Sequence, residues 1–221
     1  MVLREKVYQT IKEKILSGEY QCGQPLNERE ITQELSVSRT PFREAINALN
    51  QENLVQIFDN RGIFVREITA QDISNNFEIR FLLEPFVMQQ AALRIPESVI
   101  DCLTQEGNAA QQKKYSEMLE VDEHYHRTML GYMENQFLVD IMENLYDQNR
   151  MQRALFDRNN NGIVPEERIS AVRKSLQEHQ TILDCMRQRD AEGTAEATRE
   201  HLRRAEDRQR GMPVVTREKV L

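Results

Sequence analysis

Apolar positions recur at helical spacing from the start of the chain. Val7, Ile11, Ile15 and Leu16 put one face on a helix over 4–17, and Ser17-Gly18 stops it. Residues 19–26, with Gly23 and Pro25, read as a turn. Asn27 then caps a short helix, with Glu30 in capping-box position and Ile31 and Leu35 as the apolar face. Ser38 caps a second, in which Pro41 stands near the start and Phe42, Ala45, Ile46 and Leu49 share one side. Asn53 supplies a left-handed stop. Residues 54–57 and 63–68 read as two short strands joined through Asp59-Asn60-Arg61-Gly62. From Asp72 onward the pattern is helical almost throughout, broken at Ile95-Pro96, Gly131, 159–162 and Gly193. The expected fold is mainly α. A winged helix-turn-helix occupies residues 1–70, and an all-α bundle of six or seven helices occupies 71–221. Residues 211–221 carry no readable pattern.

Composition narrows the class. The 221 residues hold 29 Lys+Arg against 36 Asp+Glu, a formal net charge of −7. Taken as an average, that acidity argues against nucleic acid as a partner. Residues 1–70 contribute only −1 of it, however, and 71–221 carry the remaining −6. No apolar run approaches the ~20 residues of a membrane helix, and the opening MVLREKVYQTIKEK lacks a signal-peptide core. The 3 cysteines, Cys22, Cys102 and Cys185, are widely spaced, so a reducing cytoplasm is expected rather than a disulfide framework.

The second helix of a helix-turn-helix lies in the major groove with its first turns against base edges and phosphates. Here those turns read Ser38-Arg39-Thr40-Pro41-Phe42-Arg43. Arg39 and Arg43 stand one turn apart on one face, where both guanidinium forks can meet guanine edges or phosphates. Thr40 can donate to a phosphate, which the helix N-terminus also favours. Arg29 lies early in the preceding helix, within reach of the backbone. Arg61-Gly62 at the hairpin tip lets a wing approach the minor groove. Scattered arginines usually mean a solvated face, but this array in this pattern points to DNA.

The run GEYQCGQPLNEREITQELSVSRTPFREAINALNQENLVQIFDNRGIFVREI resembles the GntR-type winged-helix DNA-binding domain, with SRTPFREA as its most specific segment. The likeness covers about 60 residues without a gap. It implies operator contacts at Arg29, Arg39, Thr40, Arg43 and Gly62. The chain departs from the family pattern at Cys22, where proline is usual, and at Ser36 and Asn53, where glycine is usual. Asn tolerates a left-handed backbone, whereas Ser36 costs some turn stability.

All 4 histidines lie in the helical segment: His124, His126, His179 and His201. Asp122 and His126 are four apart and share a helix face, next to an apolar stripe of Val121, Tyr125 and Met129. His124 should point elsewhere, to solvent. The midpoint of 179 and 201 falls at Asp190, in the turn Arg189-Asp190-Ala191-Glu192-Gly193. In an antiparallel hairpin both imidazoles then stand ~16 Å from the turn, at 1.5 Å per residue, and can converge. Asp122 and His126 from a third helix would complete a three-His, one-carboxylate site. Such a donor set suits a divalent transition metal (Zn²⁺, Ni²⁺, Mn²⁺ or Fe²⁺) with open positions for water or a ligand oxygen. A lone histidine is more often a packed core residue, so the metal reading rests on the pairing geometry.

The second segment, about 72–210, resembles the FCD effector domain of the FadR branch of GntR regulators. The signatures are Arg80 and Glu84 in EIRFLLEP, Asp122 and His126, and the pair His179 and His201. Pro85 after Glu84 is a departure. The resemblance implies a metal centre on the four residues above, and Arg80 is a candidate clamp for an effector carboxylate. An Arg80–Glu84 surface pair is an equal alternative for those two residues. Ser175, one turn before His179, could face the same cavity.

The expected function is a metabolite-responsive DNA-binding transcriptional regulator with a small carboxylic acid as effector; repression relieved by effector is the commoner mode in the family it resembles. A homodimer would set two recognition helices in successive major grooves of a palindromic operator. The alternatives are a metal-dependent hydrolase or lyase on a helical scaffold, and a regulator whose metal is structural or is itself the signal. No HExxH motif occurs, and Glu123 is a weak general base. A near-neutral DNA-binding domain has little nonspecific attraction for DNA, so binding should be salt-sensitive and dimer-dependent.

Overall fold

The computed structural model describes residues 3–158 and 164–210. Among them the chain forms nine helices and one small sheet, in two compact units. Residues 3–70 group with 147–158, and 71–146 group with 164–210. The expected break at 159–162 and the segment 211–221 lie outside the described residues.

The first unit opens with α1 (Leu3–Leu16), whose buried Val7, Ile11, Ile15 and Leu16 are the stripe read from the sequence. Next come α2 (Glu28–Glu34) and α3 (Arg39–Gln51). The Asn27 side chain caps α2 by accepting from the Arg29 and Glu30 amides at 3.0 and 3.4 Å, and its Nδ2 donates back to Glu30 Oε1 at 2.9 Å. Ser38 has the extended backbone of an N-cap, but its hydroxyl makes no capping bond. Phe42, Ala45, Ile46 and Leu49 of α3 are fully buried, and each large one contributes about 1.5–3 kcal/mol by leaving water.

The wing is β2 (Val55–Phe58) paired antiparallel with β3 (Gly62–Val65), so the second strand ends earlier than 68. Residues 25–26, read as part of a turn, instead form β1 (Pro25–Leu26) on the far edge of β3, giving the order β1-β3-β2. A two-residue strand has no period to read, and proline tolerates an edge because it has no N–H to donate. Residues 147–158 are the C-terminal part of α7 (Gln136–Arg158). There Met151 joins the core of α1 and α3, Lys12 pairs with the buried Asp147 at 2.7 Å, and Arg150 pairs with Glu13.

The second unit is helical throughout its described residues: α4 (Ala70–Arg94), α5 (Glu97–Ala110), α6 (Tyr115–Leu130), the N-terminal part of α7, α8 (Glu166–Arg187) and α9 (Ala191–Arg210). Its core runs through Val87, Met88, Ile95, Ile100, Met129, Met142, Ile182 and Met186. The α4 helix continues through Pro85 without interruption. The α8–α9 turn depends on Arg189, in the left-handed region at φ 57°, whose Nη1 donates to the Ala92 and Ile95 carbonyls. No described helix is long and apolar enough to cross a membrane.

Candidate nucleic-acid interface and metal centre

The first turn of α3 presents Arg39, Thr40 and Arg43 outward, opposite the buried Phe42 face. Both arginines lean on one carboxylate from α2. Arg39 Nε and Arg43 Nε each lie 3.3 Å from a different oxygen of Glu28. Sequence reading found no acid on this surface, because Glu28 comes from the preceding helix. The ion pairs hold two long side chains side by side while leaving them solvated, and exposed pairs of this kind contribute at most about 1 kcal/mol. A phosphate or a guanine edge can displace the carboxylate at little cost. Arg29 is exposed on α2, and Arg61 is exposed at the hairpin tip. Gly62 has φ +101°, which a side chain rarely adopts, and its α-carbon faces open space. The wing tip can therefore meet another surface closely.

In the second unit, α6, α8 and α9 bring three imidazoles together. His126, His179 and His201 are all buried, and their candidate ligand atoms lie within 4.8 Å of one another. The 179 and 201 rings stand 4.7 Å apart across the α8–α9 hairpin, and His126 stands 4.8 Å from His179. Asp122 lies beside this triad rather than within it. Its Oδ1 is 3.8 Å from His179 Nε2 and accepts a hydrogen bond from Ser175 Oγ at 2.9 Å. Ser175 is thus engaged with Asp122. His124 projects away, with Nδ1 2.8 Å from Glu106.

Each imidazole has a distinct environment. His126 Nδ1 lies 3.0 Å from Glu84 Oε1, at ion-pair distance but off hydrogen-bond geometry. His201 Nδ1 is 2.8 Å from Glu178 Oε2. Both ring nitrogens of His179 are buried with no hydrogen-bond partner among the described residues, and its ring stacks on Tyr125 at 3.9 Å and 12°. Burial pushes His179 well below the usual imidazole range, with the neighbouring histidines adding to the shift. Burial lowers His201 as well, against the opposing pull of Glu178. Neutral imidazoles are what a metal requires of its nitrogen ligands.

Arg80 and Glu84 do form the i, i+4 pair, but buried rather than on the surface. Arg80 Nε donates to Glu84 Oε2 at 2.7 Å and Nη2 to Oε1 at 3.4 Å, leaving Nη1 without a hydrogen bond among the described residues. Burial would raise the Glu84 carboxyl, yet Arg80 and His126 together hold it well below the usual carboxylate range. Two buried hydroxyls, of Tyr125 and Tyr146, have no hydrogen-bond partner among the described residues, and burial raises both phenols far above their ordinary value. Tyr146, and Glu178 and Arg208 behind His201, are not legible from the sequence pattern, because they come from positions with no shared spacing.

Buried polar atoms left without partners cost about 1–3 kcal/mol each. The unpartnered nitrogens of His179 at the meeting of three helices therefore favour a ligand there. Three imidazole nitrogens with a carboxylate alongside fit a divalent transition metal. His126, His179 and His201 could hold it directly, and Asp122 could join them by releasing Ser175. When bound, such an ion supplies a Lewis-acidic position for an anionic oxygen.

Comparison with known proteins agrees with both halves. The model of the gntR family of bacterial regulatory proteins matches residues 3–65, and that of the FCD domain matches 75–204. The chain is 28% identical over 207 residues to the HTH-type transcriptional repressor RspR of Escherichia coli (strain K12), which covers 90% of this chain and 86% of that protein. It is 30% identical over 141 residues to the Nta operon transcriptional regulator of Aminobacter aminovorans, covering 62% and 67%. Among solved structures, E. coli McbR/YncC aligns at a TM-score of 0.75 and 18% identity over 92% of this chain and 94% of that one. A chain described as a GntR regulator from Rhodococcus sp. RHA1 aligns at 0.73 and 22% over 98% and 100%. At those identities the structures speak to the fold alone. The families and relatives are regulators rather than metalloenzymes, which sets aside the hydrolase or lyase alternative. This chain belongs to the GntR family of bacterial regulatory proteins, carries an FCD domain, and is a DNA-binding transcriptional regulator.

Proposed function

We propose that the protein is a cytoplasmic homodimeric repressor whose operator binding is controlled by a small carboxylate at a metal centre in the FCD bundle. Arg39 and Arg43 read base edges in the major groove. Ser38, Thr40 and Arg29 position the helix on phosphates, and Arg61 and Gly62 place the wing in the minor groove. The observation that carries the effector half is the buried cluster of His126, His179 and His201, in which neither ring nitrogen of His179 has a hydrogen-bond partner among the described residues. With Asp122 it would hold a divalent metal of the Zn, Ni, Mn or Fe group. A carboxylate effector would add an oxygen to that metal and meet Arg80 through the Nη1 that Glu84 leaves open. Ser175, bonded to Asp122, would follow any change at that ligand.

An exposed apolar stripe on α4, Ile79, Leu82, Phe86 and Leu93, with Phe137 and Ile141 on α7, supports a dimer through the second unit. Two such units would set two α3 helices on the halves of a palindromic operator, about one turn apart. Effector control then needs only a few kcal/mol of differential affinity between two dimer geometries. The experiment combines metal analysis of purified wild type and His179→Ala with operator binding in the presence of a panel of small carboxylates. Metal present in wild type and lost from the variant, together with a carboxylate that weakens operator binding only in wild type, is the expected result. Equal metal content in both proteins overturns the site. Full burial of the donor set also suits a purely structural metal, and that reading wins if metal binds but no carboxylate alters operator binding.

A further inference from the structure

Behind the triad, α8 and α9 carry a second pair of residues that no motif singled out. Glu178, one residue before His179, turns toward α9, where its Oε2 stands 2.8 Å from His201 Nδ1. Arg208 lies seven residues beyond His201 and grips the same carboxylate with both ends of its fork, Nη1 to Oε1 and Nη2 to Oε2, each at 2.8 Å. Arg204 Nη1 adds a weaker approach at 3.9 Å. The three groups form a chain, guanidinium to carboxylate to imidazole, that ends at the cluster.

A buried imidazole can carry its proton on either nitrogen, and the partner of one nitrogen decides which is free. Both ends of the Arg208 fork donate to Glu178, so the oxygen it turns to His201 stands as a hydrogen-bond acceptor. The proton of a neutral His201 is then drawn to Nδ1, and Nε2 keeps its lone pair. His126 has a related arrangement through Glu84 and Arg80. His179 has none. We propose that Glu178, gripped by Arg208, is a positioning residue that fixes the tautomer and orientation of His201 and so presents its Nε2 to the metal. The proposal rests on the metal reading above. Carboxylates that hold the far nitrogen of a metal-binding histidine generally raise metal affinity by about 10- to 100-fold. The couple opens onto a polar surface groove of about 500 Å³ lined also by Lys174, Gln177 and Thr181, so substitutions there leave the apolar core intact.

The test uses full-length protein with ¹⁵N-labelled histidine, stripped of metal, and reads the His201 tautomer by long-range ¹H–¹⁵N NMR. Affinities for Zn²⁺ and Ni²⁺ are measured separately by competition with a chelating dye. Wild type should show His201 as the Nδ1–H form. Glu178→Ala should mix the two tautomers and weaken both metals about 10- to 100-fold. Glu178→Gln, which keeps an oxygen acceptor, should lose less, and Arg208→Met should fall between. A folded Glu178→Ala with an unchanged tautomer and unchanged affinities overturns the proposal. If that variant fails to fold, the same lack of effect in both Glu178→Gln and Arg208→Met overturns it. A wild type that binds neither metal overturns the metal reading, while the tautomer in metal-free protein still judges Glu178 on its own.

Discussion

Arg39 and Arg43 leave 77% and 65% of their side chains in solvent, whereas His126, His179 and His201 leave 7%, 2% and 3%. The two regions face opposite physical demands. An exposed guanidinium is satisfied by water and by the single carboxylate of Glu28, so it can exchange that partner for DNA at small cost. A buried imidazole has no water to fall back on, and every nitrogen must be matched by protein or by a bound ligand. The reading helix is thus a surface of replaceable contacts. The cluster is a network in which removing one member strands the others, so substitutions on α3 should change binding without changing the fold, and substitutions around the histidines should change both.

The largest effect that would sharpen this contrast is at Glu84. Glu84→Ala leaves Arg80 charged and buried with no counterion, and should destabilise the protein by about 3–5 kcal/mol in chemical denaturation. Replacing both partners with apolar residues, Arg80→Met with Glu84→Leu, should recover most of the loss. A single variant as stable as wild type would mean the pair is solvated and the contrast is false.

Ligand removal should come next. A metal present at 100 times its dissociation constant stabilises the folded state by about 2.7 kcal/mol. A chelator should therefore lower the Tm of wild type and leave His179→Ala unmoved. Equal shifts in the two proteins would place any metal elsewhere.

On the exposed side, Arg39→Ala should weaken operator binding by about 1–3 kcal/mol and relax base preference at one position. Its unfolding free energy should change by less than about 0.5 kcal/mol. Stability loss on the scale of Glu84→Ala would erase the distinction between the regions.

The smallest effect tests the frame that carries α3. Ser36, in the turn between α2 and α3, sits at φ 55°, a left-handed conformation that costs a side chain about 1–2 kcal/mol. Ser36→Gly removes that strain but adds freedom to the unfolded chain, so a net gain of about 0.5–1 kcal/mol is expected in thermal denaturation. Asn53, at φ 59°, should gain less from the same change because asparagine tolerates this region better.

The elements of the first unit were legible because their signals are local. A capping Asn27 followed by Glu30, the apolar period Phe42, Ala45, Ile46, Leu49, and the Asp59–Gly62 turn each act within a few residues. β1 was missed for the complementary reason, since Pro25 and Leu26 are a strand only because β3 lies beside them. His179 and His201 were a partial exception at long range, because hairpin symmetry about Asp190 converts sequence spacing into height along two helices.

The sequence by itself determined a winged helix-turn-helix followed by a helical bundle, the face that Arg39 and Arg43 share, and the helices from which the histidines come. Those follow from the 3.6-residue period and from capping chemistry, which depend on near neighbours. Only the tertiary structure decided that Glu28 would hold both reading arginines, that Arg80 and Glu84 would pair inside the bundle, and that Glu178 and Arg208 would stand behind His201. Those contacts join different helices or depend on which face becomes buried, and no short-range pattern encodes them. They are set by which polar groups the packed helices leave without water.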